Sequence, residues 1–341
     1  MFRRSAVATL AALAATALGL SLLTACGGSA DARSSGSGGL SSVTLKVGDT
    51  GWARFQAALK LAHLDDTPYK VKWNVFQGGD LQLQAVRAGA LDAASSSEIP
   101  PIFAAADGKA NFKVVAVQKG NTLLQEVVAP KGSKITSIAQ LKGRKVGYVK
   151  NTTAHYFLYE LLKQAGLKWS DIKAVPLLPN DGLAALNGGS IAAFASYGGT
   201  IIAAHQQGAT TIGSGRDILS GNFLWEGSDS TIADKTKRAA LADLIARVGK
   251  AFAYIRDGHE KEYAQVTATA TKQPVSQALQ QIQDGEKQRP TVAGVTGDAA
   301  IASEQKVADV FEELGALTQP LQVSSFWTDD LNADLEKALA S

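Results

Sequence analysis

From Val43 onward, short apolar runs rich in β-branched residues alternate with stretches in which apolar residues recur at helical spacing. Strands that alternate with helices are typical of an α/β fold with a largely parallel sheet. Strands are predicted over residues 43–47, 69–76, 91–94, 112–117, 124–129, 145–149, 172–177, 192–195, 210–213 and 223–226. Helices are predicted between them over residues 54–61, 81–88, 154–164, 182–186 and 201–206.

After Asp234 the composition changes to long amphipathic helices. They are predicted over residues 235–256, 260–269, 275–283, 303–314 and 328–340. In the first of them, one face carries apolar residues at helical spacing, namely Leu241, Leu244, Ile245, Val248 and Phe252. We expect these helices to pack against the sheet.

Residues 95–103 are predicted to form a polar corner between a strand and a helix. Three serines and Glu98 precede two prolines, and proline is tolerated in a first helical turn. Ligands of open α/β sheets bind at the carboxyl ends of strands. Ser96, Ser97 and Glu98 are therefore candidate ligand-binding residues, although Glu98 could instead cap the helix.

A second corner repeats this arrangement later in the chain. Segments 85–94 and 185–194 share a helix end, a glycine, a tight turn and an apolar strand. Each follows an aspartate, Asp80 or Asp181, that is predicted to cap its helix. The repeat predicts two facing lobes, in which Tyr197 corresponds to Ser97. Chance is the alternative, because glycine at a helix end has a generic cause.

Further polar turns follow other predicted strands. Residues 151–155 begin a helix whose hydroxyls and free N–H groups suit an oxyanion, and ordinary N-capping by Thr152 or Thr153 is a compatible alternative. Glycines in two other turns permit close approach of the backbone, and Tyr197 adds an aromatic ring. The candidate ligand-binding residues in these turns are Asp49, Thr50, Gln77, Gly78, Asn151, Thr152, Thr153, His155, Tyr197 and Gly198.

The bulk composition offers little sign of catalysis or of nucleic-acid binding. The chain has 341 residues, with 34 Lys and Arg against 31 Asp and Glu. Its four histidines are scattered, and the sequence shows no metal-ligand spacing, nucleophile elbow or P-loop. We therefore predict a protein that is not an enzyme, uses no cofactor or metal, and does not bind nucleic acid.

The first 25 residues are typical of an export signal. Arg3 and Arg4 precede an apolar run that ends at Leu23-Thr24-Ala25-Cys26, which resembles a bacterial lipobox. Cys26, the only cysteine, would then carry the lipid, and a simple transmembrane anchor is the alternative. Residues 26–42, rich in Ser and Gly, are predicted to be a flexible tether. We expect a protein lipid-anchored to the cell membrane on its extracytoplasmic side.

Five segments carry a family resemblance when they are taken together in their order and spacing. They are residues 95–103, 141–146, 151–155, 162–167 and 289–291. In this combination the chain resembles, over residues 43–331, the SsuA/TauA/NrtA-type substrate-binding proteins of ABC transporters, within the NMT1/THI5-like superfamily. It is most similar to the binders of aliphatic sulfonates.

The resemblance implies a two-lobed α/β fold of the periplasmic-binding-protein type (type II), with mixed sheets flanked by helices and a hinge that closes on the ligand. The implied first lobe comprises residues 43–128 and 225–341, and the second comprises residues 129–224. The crossings are expected near residues 127–130 and 222–226. By position, the family's two ligand-binding motifs correspond to Ser96, Ser97 and Glu98, and to Thr152, Thr153 and His155.

Two departures from the family concern the pocket. Sulfonate binders commonly show a Trp-Asp-Pro-type segment where this chain has Ser196-Tyr197-Gly198-Gly199, and Ala192 replaces a usual Asp. The first departure changes the wall of the expected pocket.

The function implied by the resemblance is capture of a small organic anion, foremost an aliphatic sulfonate or related sulfur compound. A monomeric lipoprotein would deliver it to a membrane permease with its ATPase. Nitrate, taurine and a thiamine-precursor pyrimidine or other aromatic compound are alternative ligands. A THI5-like biosynthetic enzyme is a further alternative, but this chain lacks the cysteine-rich iron site, and its export signal argues against a cytosolic role.

Overall fold

The computed structural model describes residues 39–108 and 110–341. The predicted export signal, Cys26 and most of the predicted tether lie outside the described residues. Among the residues described, no helix is both long and apolar enough to cross a membrane. Residues Gly38–Ser341 form one compact unit, and all hydrophobic clusters given below lie within it.

The strands form two mixed sheets. The first is six-stranded, in the order β11-β4-β10-β3-β1-β2, and the second is five-stranded, in the order β7-β6-β8-β5-β9. The strands are β1 (Thr44–Thr50), β2 (Lys70–Phe76), β3 (Ala93–Ser97), β4 (Phe112–Lys119), β5 (Gln125–Ala129), β6 (Lys145–Tyr148), β7 (Lys173–Pro176), β8 (Ala193–Tyr197), β9 (Thr210–Ser214), β10 (Asn222–Ser228) and β11 (Val292–Gly294). Strands β1, β2 and β3 run parallel in the first sheet, as do β6, β7 and β8 in the second.

Helices flank both sheets. They are α1 (Arg54–Leu61), α2 (Gly79–Arg87), α3 (Pro100–Ala105), α4 (Thr153–Gln164), α5 (Pro179–Asn187), α6 (Gly199–Gln206), α7 (Asp229–Ala233), α8 (Lys235–Arg256), α9 (Glu260–Thr271), α10 (Val275–Gln288), α11 (Asp298–Glu313) and α12 (Asn332–Ala340).

The first sheet is buried on both faces. Neighbouring residues on its central strands join different clusters: Trp225 and Val115 pack with α8, whereas Leu224 and Val114 pack with α2 and α11. This alternation follows from the period of two along a strand. The second sheet packs with α4 and α6 around Phe157 and other apolar residues. The long C-terminal helix α8 therefore belongs to the core of the first sheet, as its apolar spacing predicted.

The chain passes from the first sheet to the second through residues 120–124 and returns through residues 215–221. These crossing segments lie side by side, because Gly120 N donates to Gly221 O over 3.0 Å and Thr122 Oγ1 donates to Arg216 O over 2.9 Å. A Cβ at Gly221, whose φ is +74°, would lie 1.7 Å from Arg289 Nη1. The return therefore requires glycine at this point.

The predicted crossings near residues 127–130 and 222–226 need correction. Strand β5 pairs with β8 and β9, so residues 125–128 belong to the second sheet, and β10 pairs with β3 and β4 in the first. Both predicted boundaries lay too far along the chain, because the apolar residues that mark a strand do not reveal which sheet it joins. The division into lobes itself stays a prediction.

Most other elements follow the sequence pattern, but several helix starts differ from it: α11 begins at Asp298, five residues before its predicted start, and α12 begins at Asn332, four residues after its predicted start. Helices α1 and α8 have the predicted ends, and Pro100 and Pro101 open α3 as expected. Asp80 and Asp181 do not cap their helices: they lie inside the first turns, and the N-cap residues are Gly78 and Leu178. An aspartate in a first turn still stabilises the helix dipole.

Candidate functional site

A cleft of about 540 Å³ opens between the two sheets. Its walls include residues at the carboxyl ends of parallel strands, among them Thr50 of β1, Ser97 of β3 and Tyr197 of β8. Of the predicted ligand-binding residues, the cleft brings together Thr50, Gln77, Ser96, Ser97, Thr152, Thr153, Tyr197 and Gly198. Asp49, Gly78, Glu98, Asn151 and His155 do not line it.

The serine corner forms the polar wall on the side of the first sheet. Ser95, Ser96 and Ser97 all line the cleft, and Ser96 Oγ donates to Glu226 Oε1 over 2.5 Å. The buried Ser95 Oγ has no partner, and neither has the buried Gln118 Oε1, which also lines the cleft. Because buried polar atoms in proteins are normally paired, these two atoms are available for a ligand.

The N-terminus of α2 lies against the serine corner. A Cβ at Gly79 would come within 2.4 Å of Ser96 Cβ, so only glycine allows this close approach. Three residues along the same helix, the buried amide of Gln82 donates to Thr50 Oγ1 over 2.6 Å and to Ser95 O over 3.0 Å. Its oxygen accepts from Ser95 N over 3.0 Å. Gln82 thus holds two strand ends together, and the sequence analysis did not identify it.

Asp49 does not reach the cleft, contrary to the prediction, but it positions a residue that does. Its fully buried carboxylate accepts from the backbone N–H groups of Thr50 and Phe55 and from Arg54 Nε, the last over 3.1 Å. Burial raises the pKa of Asp49, against the lowering effect of Arg54 and the hydrogen bonds. Arg54 lines the cleft and was missed. The sequence could have identified Arg54, because the helix predicted after β1 begins at this residue.

Thr152 and Thr153 bring the start of α4 to the cleft from the second sheet. Thr152 is the N-cap, since its Oγ1 accepts from Ala154 N over 3.2 Å and donates to Val149 O over 2.7 Å. Thr153 Oγ1 donates to Gln125 Oε1 over 2.6 Å. Capping and a position on the cleft wall therefore coexist. Asn151 holds a left-handed φ of +58° before the helix and does not line the cleft.

Tyr197 joins the two sheets across the cleft. Its Oη donates to the backbone oxygen of Gln77 over 3.2 Å, and burial is the main cause that raises the pKa of this phenol. Gly78 lies next to this contact but not in the cleft wall, and a Cβ there would come within 2.9 Å of Tyr197 Oη. Gly198, with a φ of +56°, turns the chain into α6, whose first residue Gly199 also lines the cleft.

Glu98 does not cap α3, so its predicted capping role is wrong; it does not line this cleft, and its contact with a ligand stays a prediction. The N-cap residue of α3 is Ile99, and the structure shows no side-chain cap there. The buried Glu98 carboxylate accepts from Ser220 Oγ over 2.6 Å, Asn222 Nδ2 over 3.0 Å and Ser303 Oγ over 3.0 Å. Burial raises its pKa, and these hydrogen bonds oppose that shift. Glu98 thus fastens the returning crossing segment to the first sheet.

His155 was predicted to touch ligand, but it lies in an aromatic cluster instead. Its ring centroid lies 4.8 Å from that of Tyr148, 5.1 Å from that of Trp169 and 5.0 Å from that of Phe311. Burial, followed by the charge of Lys150, lowers the pKa of His155 to about 4. The imidazole is therefore neutral at physiological pH. Tyr148 and Trp169 belong to the second sheet's core and Phe311 to the first's, so His155 packs between the two.

The electrostatics of the cleft favour an anion. The helices α2, α4 and α6 begin at its wall, and the first N–H groups of a helix have no intrahelical acceptor. The charged residues among the described lining are Arg54, Lys272 and Glu286. Glu286 is paired, because it accepts from Thr291 N over 3.0 Å and from Arg256 Nη1 over 3.3 Å. No unpaired carboxylate is thus found on the described wall.

A second part of the wall is apolar and was largely missed. It comprises Trp52 after β1, Phe252 and Ile255 of α8, Tyr263 of α9 and Ile282 of α10, which we call the aromatic flank. The sequence analysis assigned the C-terminal helices to packing alone. Their apolar spacing identifies the buried face of a helix but does not show which residues at the edge of that face meet a cleft.

The chain is similar in sequence to known binding proteins. The family model described as NMT1/THI5 like matches residues 70–212. An aliphatic sulfonates-binding protein of Escherichia coli (strain K12) is 30% identical over 247 residues, which cover 72% of this chain and 75% of the relative. The relative is named as a binding protein, not as an enzyme.

Two solved structures share the fold. The periplasmic aliphatic sulphonate binding protein SsuA from Escherichia coli superposes with a TM-score of 0.70 at 25% identity, over 83% of this chain and 91% of that protein. The alkanesulfonate-binding protein SsuA from Xanthomonas axonopodis pv. citri, bound to MOPS, gives a TM-score of 0.76 at 21% identity, over 84% of this chain and 98% of that protein. The predicted α/β fold of two mixed sheets flanked by helices is confirmed.

Proposed function

Since the chain belongs to the NMT1/THI5-like family of aliphatic sulfonate-binding proteins, we propose that it captures an organic sulfonate outside the cytoplasm and delivers it to an ABC importer. The ligand would lie in the cleft between the two sheets. The proposal includes no chemical step: the protein binds and releases its ligand unchanged.

One observation carries the choice of an anion. The N-termini of α2, α4 and α6 meet at one cleft with the hydroxyls of Ser95, which has no partner among the described residues, and Ser97, which accepts from Ile99 N, and the described wall has no unpaired carboxylate. Helix N-termini and hydroxyl donors are suited to the three oxygens of a sulfonate. The same wall disfavours taurine, because its ammonium group would find no free carboxylate there.

Capture is proposed to depend on hinge closure about the crossing segments 120–124 and 215–221. Hydrogen bonds between the two sides of the fold support this mechanism: Tyr197 Oη donates to Gln77 O, and Gln206 Nε2 of α6 donates to Lys272 O at the end of α9 over 2.8 Å. A ligand stabilises the closed state by the difference in its affinity for the closed and open states. The hydrogen-bonded crossing segments would keep the axis of that movement fixed.

The remaining parts of the prediction belong to this proposal. Acylated Cys26 would anchor the protein, and residues 26–42 would let it reach a permease that works with a cytoplasmic ATPase. We propose that it acts as a monomer.

Isothermal titration calorimetry tests the ligand class. The fragment 38–341 contains every described core residue, so we expect it to fold, and it would be titrated with ethanesulfonate, taurine, nitrate and a neutral aminopyrimidine. We expect ethanesulfonate to bind more tightly than the other three. Binding of the pyrimidine alone would overturn the sulfonate proposal in favour of a neutral aromatic ligand.

Replacing Thr153 tests the location of the site. Thr153→Leu removes a hydroxyl from the cleft wall and adds apolar bulk beside the start of α4, so we expect ethanesulfonate affinity to fall about tenfold or more. Thr269→Leu, on an exposed position of α9 outside the cleft, is the matched control and should leave affinity unchanged. Equal affinity in both variants would place the site elsewhere.

A further inference from the structure

The aromatic flank gives the cleft a second, apolar compartment beside the serine corner. The ring centroid of Tyr263 lies 6.1 Å from that of Trp52 and 6.0 Å from that of Phe252, so the three rings form one continuous surface. Leu183 of α5 and Ala203 of α6 line the same cleft from the second sheet. Trp52 is only half-buried and keeps part of its surface free for a ligand.

The size of the cleft exceeds what a short sulfonate needs. Its volume of about 540 Å³ falls in the range of sites that enclose drug-sized ligands. Methanesulfonate or ethanesulfonate, with only a few heavy atoms, would occupy the polar corner and leave the partly exposed Trp52 and Ile282 of the aromatic flank in contact with water. Burial of that apolar surface would add affinity only for a ligand whose body extends beyond the sulfonate.

The shape of the flank favours rings over chains. Aromatic side chains pack against other rings in offset or edge-to-face arrangements, which contribute more than burial of area alone. A flat ring system loses little conformational freedom on binding, whereas each bond of an alkyl chain must be ordered. Gly198 and Gly199 present backbone without side chains at the cleft wall, which gives room for such a body.

We propose that the preferred ligand is an aromatic sulfonate, with the sulfonate at the serine corner and the start of α4, and a body of one or two fused rings against the aromatic flank. This inference rests on the proposed function, since it takes the sulfonate group from there. It adds the chemical class of the rest of the molecule and the residues that select it.

A ligand series tests the inference directly. Fragment 38–341 would be titrated with methanesulfonate, hexane-1-sulfonate, benzenesulfonate and naphthalene-2-sulfonate. We expect naphthalene-2-sulfonate to bind about tenfold or more tightly than methanesulfonate, and more tightly than hexane-1-sulfonate. Methanesulfonate or hexane-1-sulfonate as the tightest ligand would overturn the aromatic assignment while leaving the proposed function intact. If none of the four sulfonates binds, it is the proposed function that fails.

Two variants locate the ring compartment. Ala203→Trp would fill it, and we expect a loss of about tenfold in naphthalene-2-sulfonate affinity with methanesulfonate affinity changed less than about twofold. Ala333→Trp, on an exposed position of α12 outside the cleft, is the matched control and should change neither affinity.

Trp52→Ala removes part of the flank without adding bulk, so it keeps the test open if Ala203→Trp does not fold. We expect the same selective loss of the aromatic ligand. Thermal melting would first establish that each variant is folded. If Ala203→Trp and Trp52→Ala, where folded, preferred naphthalene-2-sulfonate over methanesulfonate as strongly as the wild type does, the rings would lie elsewhere. That result would overturn the proposal.

Discussion

The hydroxyl of Ser96, in the cleft wall, is hydrogen-bonded to a buried neighbour. Its partner Glu226 is fully buried in β10, and burial raises the pKa of that carboxyl from 4.5 to about 8, although the Ser96 hydrogen bond lowers it. A neutral carboxyl still accepts the Ser96 hydroxyl hydrogen through its carbonyl oxygen, so this buried pair needs no charge.

The raised pKa of Glu226 predicts a pH-dependent stability. The native state holds a proton that the unfolded chain releases above about pH 4.5, so the Glu226 contribution to the free energy of unfolding falls as pH rises towards 8. The slope over this window is about 1.4 kcal/mol per pH unit. We expect Glu226→Gln, which stays neutral, to lose less stability over this range than the wild type.

Urea unfolding at pH 5, 6.5 and 8 measures this difference. Glu312→Gln, at an exposed position of α11, serves as the control and should follow the wild type. Parallel pH profiles for wild type and Glu226→Gln would contradict the assignment of a buried, neutral Glu226.

At the scale of single residues, the sequence predicts which strand ends reach the cleft more accurately than it predicts the role of each side chain there. Hydroxyl residues after a parallel strand reach the cleft because the strand end fixes their position. Glu98 and His155 were chosen by their chemistry and by family motifs, yet one fastens a crossing segment and the other packs among rings. Gln82 and Glu226 were missed because their partners lie 13 and 130 residues away in the chain.

At the scale of elements, α2 packs closely against β3 because Gly79 has no side chain. Gly79→Ala would place a Cβ 2.4 Å from Ser96 Cβ, so the start of α2 must move away from the serine corner. We expect this variant to lower sulfonate affinity several-fold and to lower the melting temperature.

Gly297→Ala is the control for Gly79→Ala. A Cβ there meets nothing within 4 Å, so melting temperature and affinity should stay close to the wild type. Calorimetry and thermal melting of both variants would decide the matter, and unchanged affinity in Gly79→Ala would show that the corner tolerates a shifted helix.

Both ends of α1 and of α8 were predicted correctly, since the apolar spacing of a helix is a local property of the chain. The start of α5 was placed three residues late because Pro179 opens the helix before the first periodic residue. The short strand β11 was not predicted, since three residues carry no periodicity and β11 forms by pairing with β4.

At the scale of the whole molecule, contacts between the sheets should govern release of the ligand. Tyr197→Phe removes the hydrogen bond to Gln77 O and keeps the ring, so we expect faster dissociation of the sulfonate, by about three- to tenfold, with little change in melting temperature. Stopped-flow dissociation would measure it. Tyr254→Phe, whose ring stacks on His259 outside the cleft, is the control, and equal rates in both variants would remove Tyr197 from the closing mechanism.

The two-sheet α/β fold was predictable because strand alternation and the repeated corner are both properties of the chain pattern. The points of crossing were not, since the pairing partners of β5 and β10 lie far apart in sequence. The aromatic flank was not predicted for a related reason: Trp52 and Tyr263 are neighbours in the structure although more than half of the chain separates them in sequence.

The path of the chain also determines how the molecule would respond to tension. Leu40 and the C-terminal residues Leu335 and Leu339 pack in the same hydrophobic cluster of the first sheet, whereas the second sheet is built wholly from residues between the two crossings. A pull applied across both ends of the described chain would therefore load the first sheet alone. The second sheet would bear no load until the first sheet begins to unfold.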